Sequence, residues 1–211
     1  MGRFADLDAV TLDANGTLIG LLDPVPKLDL LLRAYGIERP PEMIRHAFEA
    51  EGAVYADRAA EAHERAAFAT MQRECTSVFL EEVGAALDPA ELAPAYVAAM
   101  KFEVLPGVVD ALRFLRGHGL ELAVVANFDL TLADRLDRLG LRSWFSAVIT
   151  PAEAGASKPN PAMFELALER LGVRPERALH VGDGAVDEEG ARAAGMHFAW
   201  APIQSALKAW R

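Results

Sequence analysis

The chain has little of several features that mark out whole classes of protein. Its 211 residues include a single cysteine, Cys75, so an intramolecular disulfide is impossible and a reducing compartment is expected. Positive charge is also scarce, since 21 lysines and arginines stand against 31 aspartates and glutamates, a formal net charge of −10. That balance disfavours nucleic acid and anionic membrane surfaces as main partners. It leaves room for an anionic small substrate, because a metal ion or a lysine can reverse the field inside a cleft.

Long apolar runs are missing as well. No run approaches the length that spans a membrane, and the opening residues MGRFADLD contain no apolar signal core. We therefore expect a cytoplasmic protein without a membrane partner. The apolar share of 52%, with charged residues mixed along the chain, is typical of a globular protein long enough to bury a full core. The sequence carries no signal for an oligomeric state.

An alternation of strand and helix patterns is what the sequence does contain. The apolar run AVTL lies near the start, and further apolar runs alternate with helix patterns after residue 104, whereas residues 19–104 show almost no strand signal. This alternation predicts an α/β fold, with a parallel sheet covered by helices on both faces. We divide the chain into a core domain, residues 1–18 and 105–211, and a helical domain, residues 19–104, inserted after the first strand.

The inserted segment is predicted to be a small helical bundle. Pro26, Pro40–Pro41 and Pro89 stand where helices can begin. Apolar residues recur between them at helical spacing, and one stripe consists of Phe68, Met71, Cys75, Val78, Phe79 and Val83. A cysteine on such a stripe is expected to be a small core residue rather than a nucleophile.

Polar residues follow the apolar strands of the predicted core. Asp13 comes after the first strand, Asn127 after the second, Lys158 shortly after the third, and Asp183 and Asp187 after the fourth. In open parallel sheets the ligand binds beyond the carboxyl ends of the strands. Each of these residues alone has an ordinary explanation as a turn, cap or loop residue. Their chemistry is complementary, however, which favours a shared site.

The set predicts phosphoryl transfer. The three aspartates offer hard oxygen ligands, too few for a closed calcium cage but suited to a Mg²⁺ ion that keeps waters. Lys158 supplies a fixed positive charge, and Thr17 and the side chain of Asn127 can donate hydrogen bonds to phosphoryl oxygens. Together they describe a carboxylate nucleophile that forms an aspartyl-phosphate, with a small phosphorylated metabolite as its partner.

Four stretches resemble the motifs of the haloacid dehalogenase-like hydrolase superfamily: LDANGTL, VVAN, SKPNPAMF and HVGDGAVDEEGARAAGM. The resemblance covers essentially the whole chain. It implies a Rossmann-like core with a helical cap inserted after the first motif, Mg²⁺ dependence and usually phosphatase activity. It assigns the nucleophile to Asp13, and metal ligation to Asp13, Asp183 and the backbone carbonyl of Asn15. Asp187 is then a ligand or a support for the ligands, and Lys158 the charge clamp.

Two positions depart from the phosphatase pattern. The residue two after the nucleophile is usually an aspartate that protonates the leaving group and then activates water, but here it is Asn15. The residue before Asn127 is usually Ser or Thr, but here it is Ala126. A positioned general acid–base is worth ~10² to 10⁴ in rate, about 3 to 5 kcal/mol, whereas one hydrogen bond to a charged group is worth about 1.5 to 3 kcal/mol. We therefore expect intact Mg²⁺ binding with impaired turnover, mainly because of Asn15.

Three interpretations of the activity stay open. The favoured one is a phosphatase for substrates with good leaving groups, such as acyl or aryl phosphates, which need no protonation. A non-catalytic, phosphate-binding pseudoenzyme is close behind. A 2-haloacid dehalogenase ranks last: such enzymes lack this aspartate, but they use no magnesium site, and GDGAVD resembles one. Asp129 is a candidate substitute acid, although a helix cap is the preferred explanation.

Other polar residues are weaker candidates. Arginines of the inserted segment are candidate contacts for an anionic substrate, although a solvated helix face is the simpler explanation for each: Arg33, Arg45, Arg58, Arg65 and Arg73. His180 lies inside an apolar strand pattern, where a packed histidine is expected rather than a metal ligand.

Overall fold

The structure is a computed structural model that describes residues 6–58 and 64–209. Its strands, in chain order, are β1 (Ala9–Leu12), β2 (Ile19–Leu21), β3 (Phe102–Val104), β4 (Glu121–Val125), β5 (Ala147–Ile149), β6 (Ala178–Gly182) and β7 (His197–Trp200). Its helices are α1 (Val25–Ala34), α2 (Pro41–Arg58), α3 (Arg65–Glu82), α4 (Pro89–Ala99), α5 (Val108–Gly117), α6 (Leu132–Arg138), α7 (Pro151–Ala154), α8 (Ala162–Leu171), α9 (Ala185–Ala193) and α10 (Ile203–Ala209). Within these described ranges, no helix has the length and apolarity needed to cross a membrane.

The central feature of the fold is a five-stranded sheet with the order β5-β4-β1-β6-β7. Every neighbouring pair of its strands runs parallel. Strand β1 lies in the middle, with Ala9 opposite Glu121 of β4 and Ala178 of β6. Because all four residues of β1 are buried, both faces of the sheet are covered there. The predicted α/β fold with a parallel sheet is confirmed.

One hydrophobic cluster joins the sheet to its helices. Phe164 and Met163 of α8 are completely buried against residues of the strands, including Val125 and Ile149. Small residues of the strands, such as Ala9, belong to the same cluster. The short side chains let the helix approach the sheet closely, and the large ones fill the space between them. This packing sets the position of the loops at the carboxyl ends of the strands.

The chain divides into two compact units. One is formed by the described residues up to Gly20 together with those from Glu103 onward, and it contains the five-stranded sheet. The other, Leu21–Phe102, contains helices α1 to α4. Its core includes Leu28, Ile44 and Phe79, and the Phe79 ring lies 4.9 Å from that of Tyr96.

Three of the prolines predicted to begin helices lie in the first turn of a helix. Pro41 and Pro89 are the first residues of α2 and α4, and Pro26 is the second residue of α1. The N-terminus of α4 is capped by Asp88, whose carboxylate accepts a hydrogen bond of 2.8 Å from Ala90 N. Proline fits the first turn because its missing N–H would have no partner in the helix there.

The stripe on α3 faces the core as expected. Met71, Cys75 and Phe79 are buried, and Val83 at the end of the helix is buried too. Burial raises the pKa of the Cys75 thiol to about 12, so the thiolate form is strongly disfavoured. The interpretation of Cys75 as a core residue rather than a nucleophile agrees with this environment.

Two short strands lie at the ends of residues 19–104, the segment in which the sequence shows almost no strand signal. Strand β2 (Ile19–Leu21) pairs with β3 (Phe102–Val104) in a separate two-stranded sheet. Each strand has three residues, too few to show an alternating pattern. Their pairing joins distant parts of the chain, so no local signal could predict it.

Substitution of Gly190 tests how closely α9 packs. A Cβ at this position would overlap the Phe164 ring and lie 2.9 Å from the Pro159 carbonyl oxygen. We expect Gly190→Ala to lower the free energy of unfolding by about 1–3 kcal/mol through overpacking. The control is Gly117→Ala in α5, where a Cβ would have no atom within 4 Å. This substitution should raise the free energy of unfolding by about 0.4 to 1 kcal/mol. Urea unfolding measures both, and equal effects would contradict close packing at Gly190.

Candidate active site

The candidate site lies at the carboxyl ends of the parallel strands. Asp13 directly follows β1, and Asp183 directly follows β6, which is paired with β1. Asp187 lies on the first turn of α9, and Lys158 lies in the segment between α7 and α8. The register of the strands therefore brings together residues that are far apart in the sequence.

A buried ammonium group is at the centre of the site. Lys158 Nζ donates to Asp13 Oδ1 at 2.5 Å, to Asp187 Oδ1 at 2.6 Å and to the Val125 carbonyl oxygen at 3.0 Å. These three bonds match the three donors of an ammonium group. Only 5% of Lys158 is exposed, so the two carboxylates compensate its charge away from water.

The acidic residues form the cluster that the sequence predicts. Asp13, Asp183 and Asp187 each offer a carboxylate oxygen, and these oxygens lie within 4.8 Å of one another. Asp13 and Asp187 are buried, while Asp183 is exposed. A set of hard oxygen donors open to solvent on one side suits Mg²⁺, which keeps some of its waters.

Asp187 is held by donors on both of its carboxylate oxygens. Oδ1 accepts from Lys158 and lies 3.1 Å from His180 Nε2, while Oδ2 accepts a hydrogen bond of 3.0 Å from Gly184 N. The last bond is part of the N-terminal cap of α9. Asp187 therefore connects the helix start, the strand β6 and the lysine.

Sequence reasoning missed the polar pair Thr11 and His180 as part of the site. The two residues lie opposite each other on β1 and β6, and Thr11 Oγ1 is 2.8 Å from His180 Nδ1. Both are 0% exposed. His180 is a packed residue, as expected, but it also contacts Asp187. The available signal was one polar residue in each of two buried strands, because buried polar groups need partners.

Asn127 anchors the loop that carries Lys158. Its Nδ2 donates to the Lys158 carbonyl oxygen at 3.0 Å, and its Oδ1 accepts from Lys158 N at 2.8 Å. These reciprocal bonds tie the end of β4 to the lysine segment. The predicted contact of Asn127 with a phosphoryl oxygen stays a prediction.

In the turn after Asp13, Asn15 and Thr17 differ in their exposure to solvent. Asn15 is exposed, and the turn is closed by a hydrogen bond of 2.8 Å from Gly16 N to Ile19 O. Thr17 is buried, and its hydroxyl has no hydrogen-bond partner among the described residues. A buried hydroxyl without a partner is costly, which favours a role for Thr17 toward a bound group.

Ala126 is buried at the end of β4, and its backbone N–H donates to the Ile149 carbonyl oxygen at 3.1 Å. Its methyl side chain offers no donor.

Asp129, the candidate substitute acid, accepts hydrogen bonds from Thr131 N at 2.8 Å and Thr131 Oγ1 at 2.5 Å. The N-cap residue of α6 is Thr131, so these bonds place Asp129 in the turn that leads into the helix rather than at the cap itself.

Four of the five candidate arginines of the helical unit contact neighbours on their own unit. Arg33 pairs with Asp29 at 2.9 Å, Arg45 with Asp23 at 3.1 Å and Arg58 with Glu74 at 2.6 Å. Arg73 donates to Thr70 Oγ1 at 3.0 Å, and Arg65 is exposed. Exposed ion pairs of this kind fit solvated helix faces.

Burial and charge act in opposite directions on the site. Burial raises the pKa of Asp13 to about 6, even though the Lys158 charge opposes the shift. Burial acts to raise the pKa of Asp187 as well, but the bond to His180 and the charge of Lys158 outweigh it and lower this pKa. Burial lowers the pKa of His180 to about 4. At neutral pH both aspartates are therefore ionised and His180 is neutral.

The family follows from a comparison with known sequences. A family model described as haloacid dehalogenase-like hydrolase matches residues 7–195. The chain belongs to this haloacid dehalogenase-like hydrolase family. The match includes every residue of the candidate site, from Asp13 to Asp187. The resemblance of the four sequence motifs is thus confirmed at the level of the family.

Relatives of this hydrolase include proteins named as phosphatases. Phosphoglycolate phosphatase 1 of Pseudomonas aeruginosa is 33% identical over 196 residues, which are 90% of this chain and 67% of the relative. The mouse haloacid dehalogenase-like hydrolase domain-containing protein 3 is 46% identical over 97 residues, 46% of this chain and 39% of the relative. The matched part thus spans about two fifths of the mouse protein. The crystal structure of a HAD phosphatase from Thermococcus onnurineus has a TM-score of 0.61 at 28% identity, and the match covers 92% of this chain and 86% of that one.

The Mg²⁺ binding for which the acidic cluster is suited is expected to require Gly16. Its φ is +82°, and a Cβ would overlap Asp183 Oδ2. Because an alanine must displace the Asp183 carboxylate, Gly16→Ala should weaken Mg²⁺ binding by about 10-fold or more, measured by calorimetry. The matched control is Gly119→Ala, where φ is +76° but no atom lies within 4 Å. It has the same left-handed strain, about 1–2 kcal/mol, but should leave Mg²⁺ affinity unchanged. Equal losses of affinity would contradict the argument.

His180 is expected to destabilise the metal-free protein in acid. The pKa of His180 is about 4 in the folded protein and 6.5 in the unfolded chain. Its contribution to the free energy of unfolding is therefore complete above pH 6.5 and is lost as the pH falls toward 4. Urea unfolding with a chelator present measures the free energy of unfolding at pH 7 and at pH 4.5. The decrease between the two pH values should be larger by about 2–3 kcal/mol in the native chain than in His180→Phe. The same loss in both proteins would show that His180 is not buried in its neutral form.

Proposed function

We propose that the chain is a Mg²⁺-dependent phosphatase that acts on small phosphate esters or anhydrides through an aspartyl-phosphate on Asp13. The observation that carries this proposal is the buried Asp13 carboxylate, which contacts Lys158 and lies within the cluster of acidic oxygens. A carboxylate can attack a phosphoryl group as a nucleophile, and a fixed cation and a metal ion beside it can stabilise the negative charge of that group. Membership of the hydrolase family supports the same chemistry.

Asp13 is the proposed nucleophile. Above pH 6 it is mainly ionised, and the hydrogen bond from Lys158 to Oδ1 orients the carboxylate. One oxygen of Asp13 forms a bond to phosphorus while the bond from phosphorus to the leaving oxygen breaks, and the leaving group takes the electron pair. The oxygen of a water molecule then bonds to phosphorus while the bond from phosphorus to the Asp13 oxygen breaks. Asp13 recovers its carboxylate and its electron pair, and both water protons leave with the product as dihydrogen phosphate.

The residues present fit a magnesium ion. Asp13 and Asp183, with the carbonyl oxygen of Asn15, are the proposed ligands, and Asp187 is a further ligand or a support. When bound, Mg²⁺ supplies positive charge that offsets the negative charge of the phosphoryl oxygens. The cluster combines three carboxylates with the single ammonium of Lys158, so it carries an excess of negative charge that favours a divalent cation.

Phosphoryl oxygens need donors from the protein as well. The buried Thr17 hydroxyl is a candidate because it has no partner among the described residues. Asn127 and Lys158 are the other proposed donors. All three donors of Lys158 contact protein oxygens in the structure, so Lys158 must exchange one of these bonds to contact a phosphoryl oxygen.

Asn15 limits the class of substrate. An amide has no titratable proton, so Asn15 can neither protonate a leaving group nor take a proton from water. Ala126 removes a smaller contribution, one hydrogen bond to the phosphoryl group. We therefore propose substrates whose leaving groups are stable as anions, such as acyl or aryl phosphates. A small phosphorylated metabolite agrees with the net charge of −10, which disfavours nucleic acid.

The remaining assignments rest on the sequence and on family resemblance. The division into a core of residues 1–18 and 105–211 and an inserted helical cap of residues 19–104 stays a prediction, and so does a cytoplasmic location. A phosphate-binding protein without turnover is the second candidate function, because both departures, Asn15 and Ala126, remove catalytic groups. A 2-haloacid dehalogenase is the third and weakest.

Restoring the acid is the direct test. Asn15→Asp should raise kcat on an alkyl phosphate by ~10² to 10⁴, because the leaving alkoxide then receives a proton. On an aryl phosphate the gain in the rate of aryl oxide release during the first turnover should be much smaller, since an aryl oxide leaves without protonation. Steady-state kinetics measures kcat on the alkyl phosphate, and rapid mixing measures the first turnover on the aryl phosphate, each with and without Mg²⁺. Asn15→Ala is the matched control and should behave like the native chain.

The outcomes separate the three candidates. Absence of magnesium-dependent hydrolysis in both the native chain and Asn15→Asp would contradict the phosphatase and favour the binding protein. Halide release from a 2-haloacid without Mg²⁺ would favour the dehalogenase. Asn15 precedes Gly16, a pair prone to deamidation, so the mass of this peptide must be checked before slow native activity is accepted.

A further inference from the structure

Asp187 has more polar contacts than a simple metal ligand needs. Its two carboxylate oxygens are contacted by Lys158 Nζ at 2.6 Å, His180 Nε2 at 3.1 Å and Gly184 N at 3.0 Å. A carboxylate with this many donors has little freedom to rotate. Because Asp187 and Asp13 share the Lys158 ammonium, the orientation of one carboxylate affects the position of the charge beside the other.

His180 can act only as a donor toward Asp187. An ionised carboxylate accepts and never donates, so Nε2 of His180 must carry the proton in their contact of 3.1 Å. In the neutral ring, Nδ1 then lacks a proton and accepts from the Thr11 hydroxyl at 2.8 Å. The pair of bonds specifies one tautomer, with Thr11 donating on one side and His180 donating on the other.

The imidazole ring is also fixed by packing. Its centroid lies 4.9 Å from that of Phe164 with an interplanar angle of 90°, an edge-to-face contact. Phe198 lies on β7, with its ring centroid 6.3 Å away. Since His180 is 0% exposed, water cannot take over either of its hydrogen bonds. The ring therefore has one orientation available to it.

We propose that His180, held by Thr11, is a positioning residue that fixes the Asp187 carboxylate and, through it, the Lys158 ammonium beside Asp13. It touches neither substrate nor metal, and it acts only through Asp187. The effect on turnover rests on the proposed phosphatase function, whereas the tautomer and the orientation of Asp187 do not.

The first test is turnover of an aryl phosphate with saturating Mg²⁺. His180→Phe keeps a ring but removes both polar atoms, and we expect kcat to fall by about 10- to 100-fold while KM stays within about twofold. His180→Gln keeps an N–H donor that can reach Asp187 and should recover most of the loss. If both variants fold and lose kcat equally, or if His180→Phe keeps native kcat, the proposal is wrong.

Thr11 provides a second, independent series. Thr11→Val removes the hydroxyl at nearly constant shape and should lower kcat, whereas Thr11→Ser keeps the hydroxyl and should restore it. The control for loss of a buried hydroxyl is Thr76→Val in α3, where Thr76 Oγ1 donates to Gln72 O at 2.7 Å. It should lower stability without changing kcat. A fall in kcat in Thr76→Val equal to that in Thr11→Val would identify the effect as structural and overturn the proposal.

The tautomer is measured without any enzyme activity. In ¹⁵N NMR of the full chain, His180, assigned by comparison with His180→Gln, should be protonated at Nε2 and unprotonated at Nδ1. A proton on Nδ1 with a bare Nε2 would overturn the proposal, because that ring cannot donate to Asp187. If the native chain hydrolyses no phosphate, the proposed function fails, and this spectrum alone decides the role of His180.

Discussion

The contact on which the site depends is the buried ammonium of Lys158 between Asp13 and Asp187. Removing one partner from such a buried arrangement costs about 3–5 kcal/mol, because an uncompensated charge is left away from water. Three separate loops must therefore meet at one point. Asn127 contributes by binding the backbone of Lys158 from the end of β4, and the parallel register of β1 and β6 aligns the turn that carries Asp13 with the start of α9, which carries Asp187.

The two buried aspartates of the site have pKa values that are shifted in opposite directions. Burial raises the pKa of Asp13, while the donors around Asp187 lower its pKa, so the two carboxylates differ although they share one lysine. Exposed Asp183 adds a third carboxylate on the open side. Asn15 is also exposed and takes no part in this buried network, so its amide leaves the charges that hold the site together undisturbed. The proposed metal binding and the proposed loss of acid catalysis therefore depend on different groups.

Several features of the structure could not be predicted from the sequence. Strands β2 and β3 are three residues each and pair across the whole helical segment, so no local periodicity marks them. The amide of Asn127 binds the backbone of Lys158, and a sequence cannot show which of several nearby acceptors an amide selects. Thr11 and His180 look like isolated polar residues in apolar strands, and only the register of β1 and β6 shows that they are partners.

The sequence by itself determined the α/β class, the parallel sheet and the identity of the residues at the strand ends, because apolar periodicity and short motifs are local properties of a chain. It also showed an amide at Asn15, where the phosphatase pattern that the chain resembles has an aspartate, since a residue type can be read directly. Tertiary structure alone decided which groups touch. That Lys158 binds both aspartates, and that Asp187 is held by His180, depends on strand order, on register and on which side chains are removed from water. Contacts between residues far apart in the chain arise only when the chain is folded.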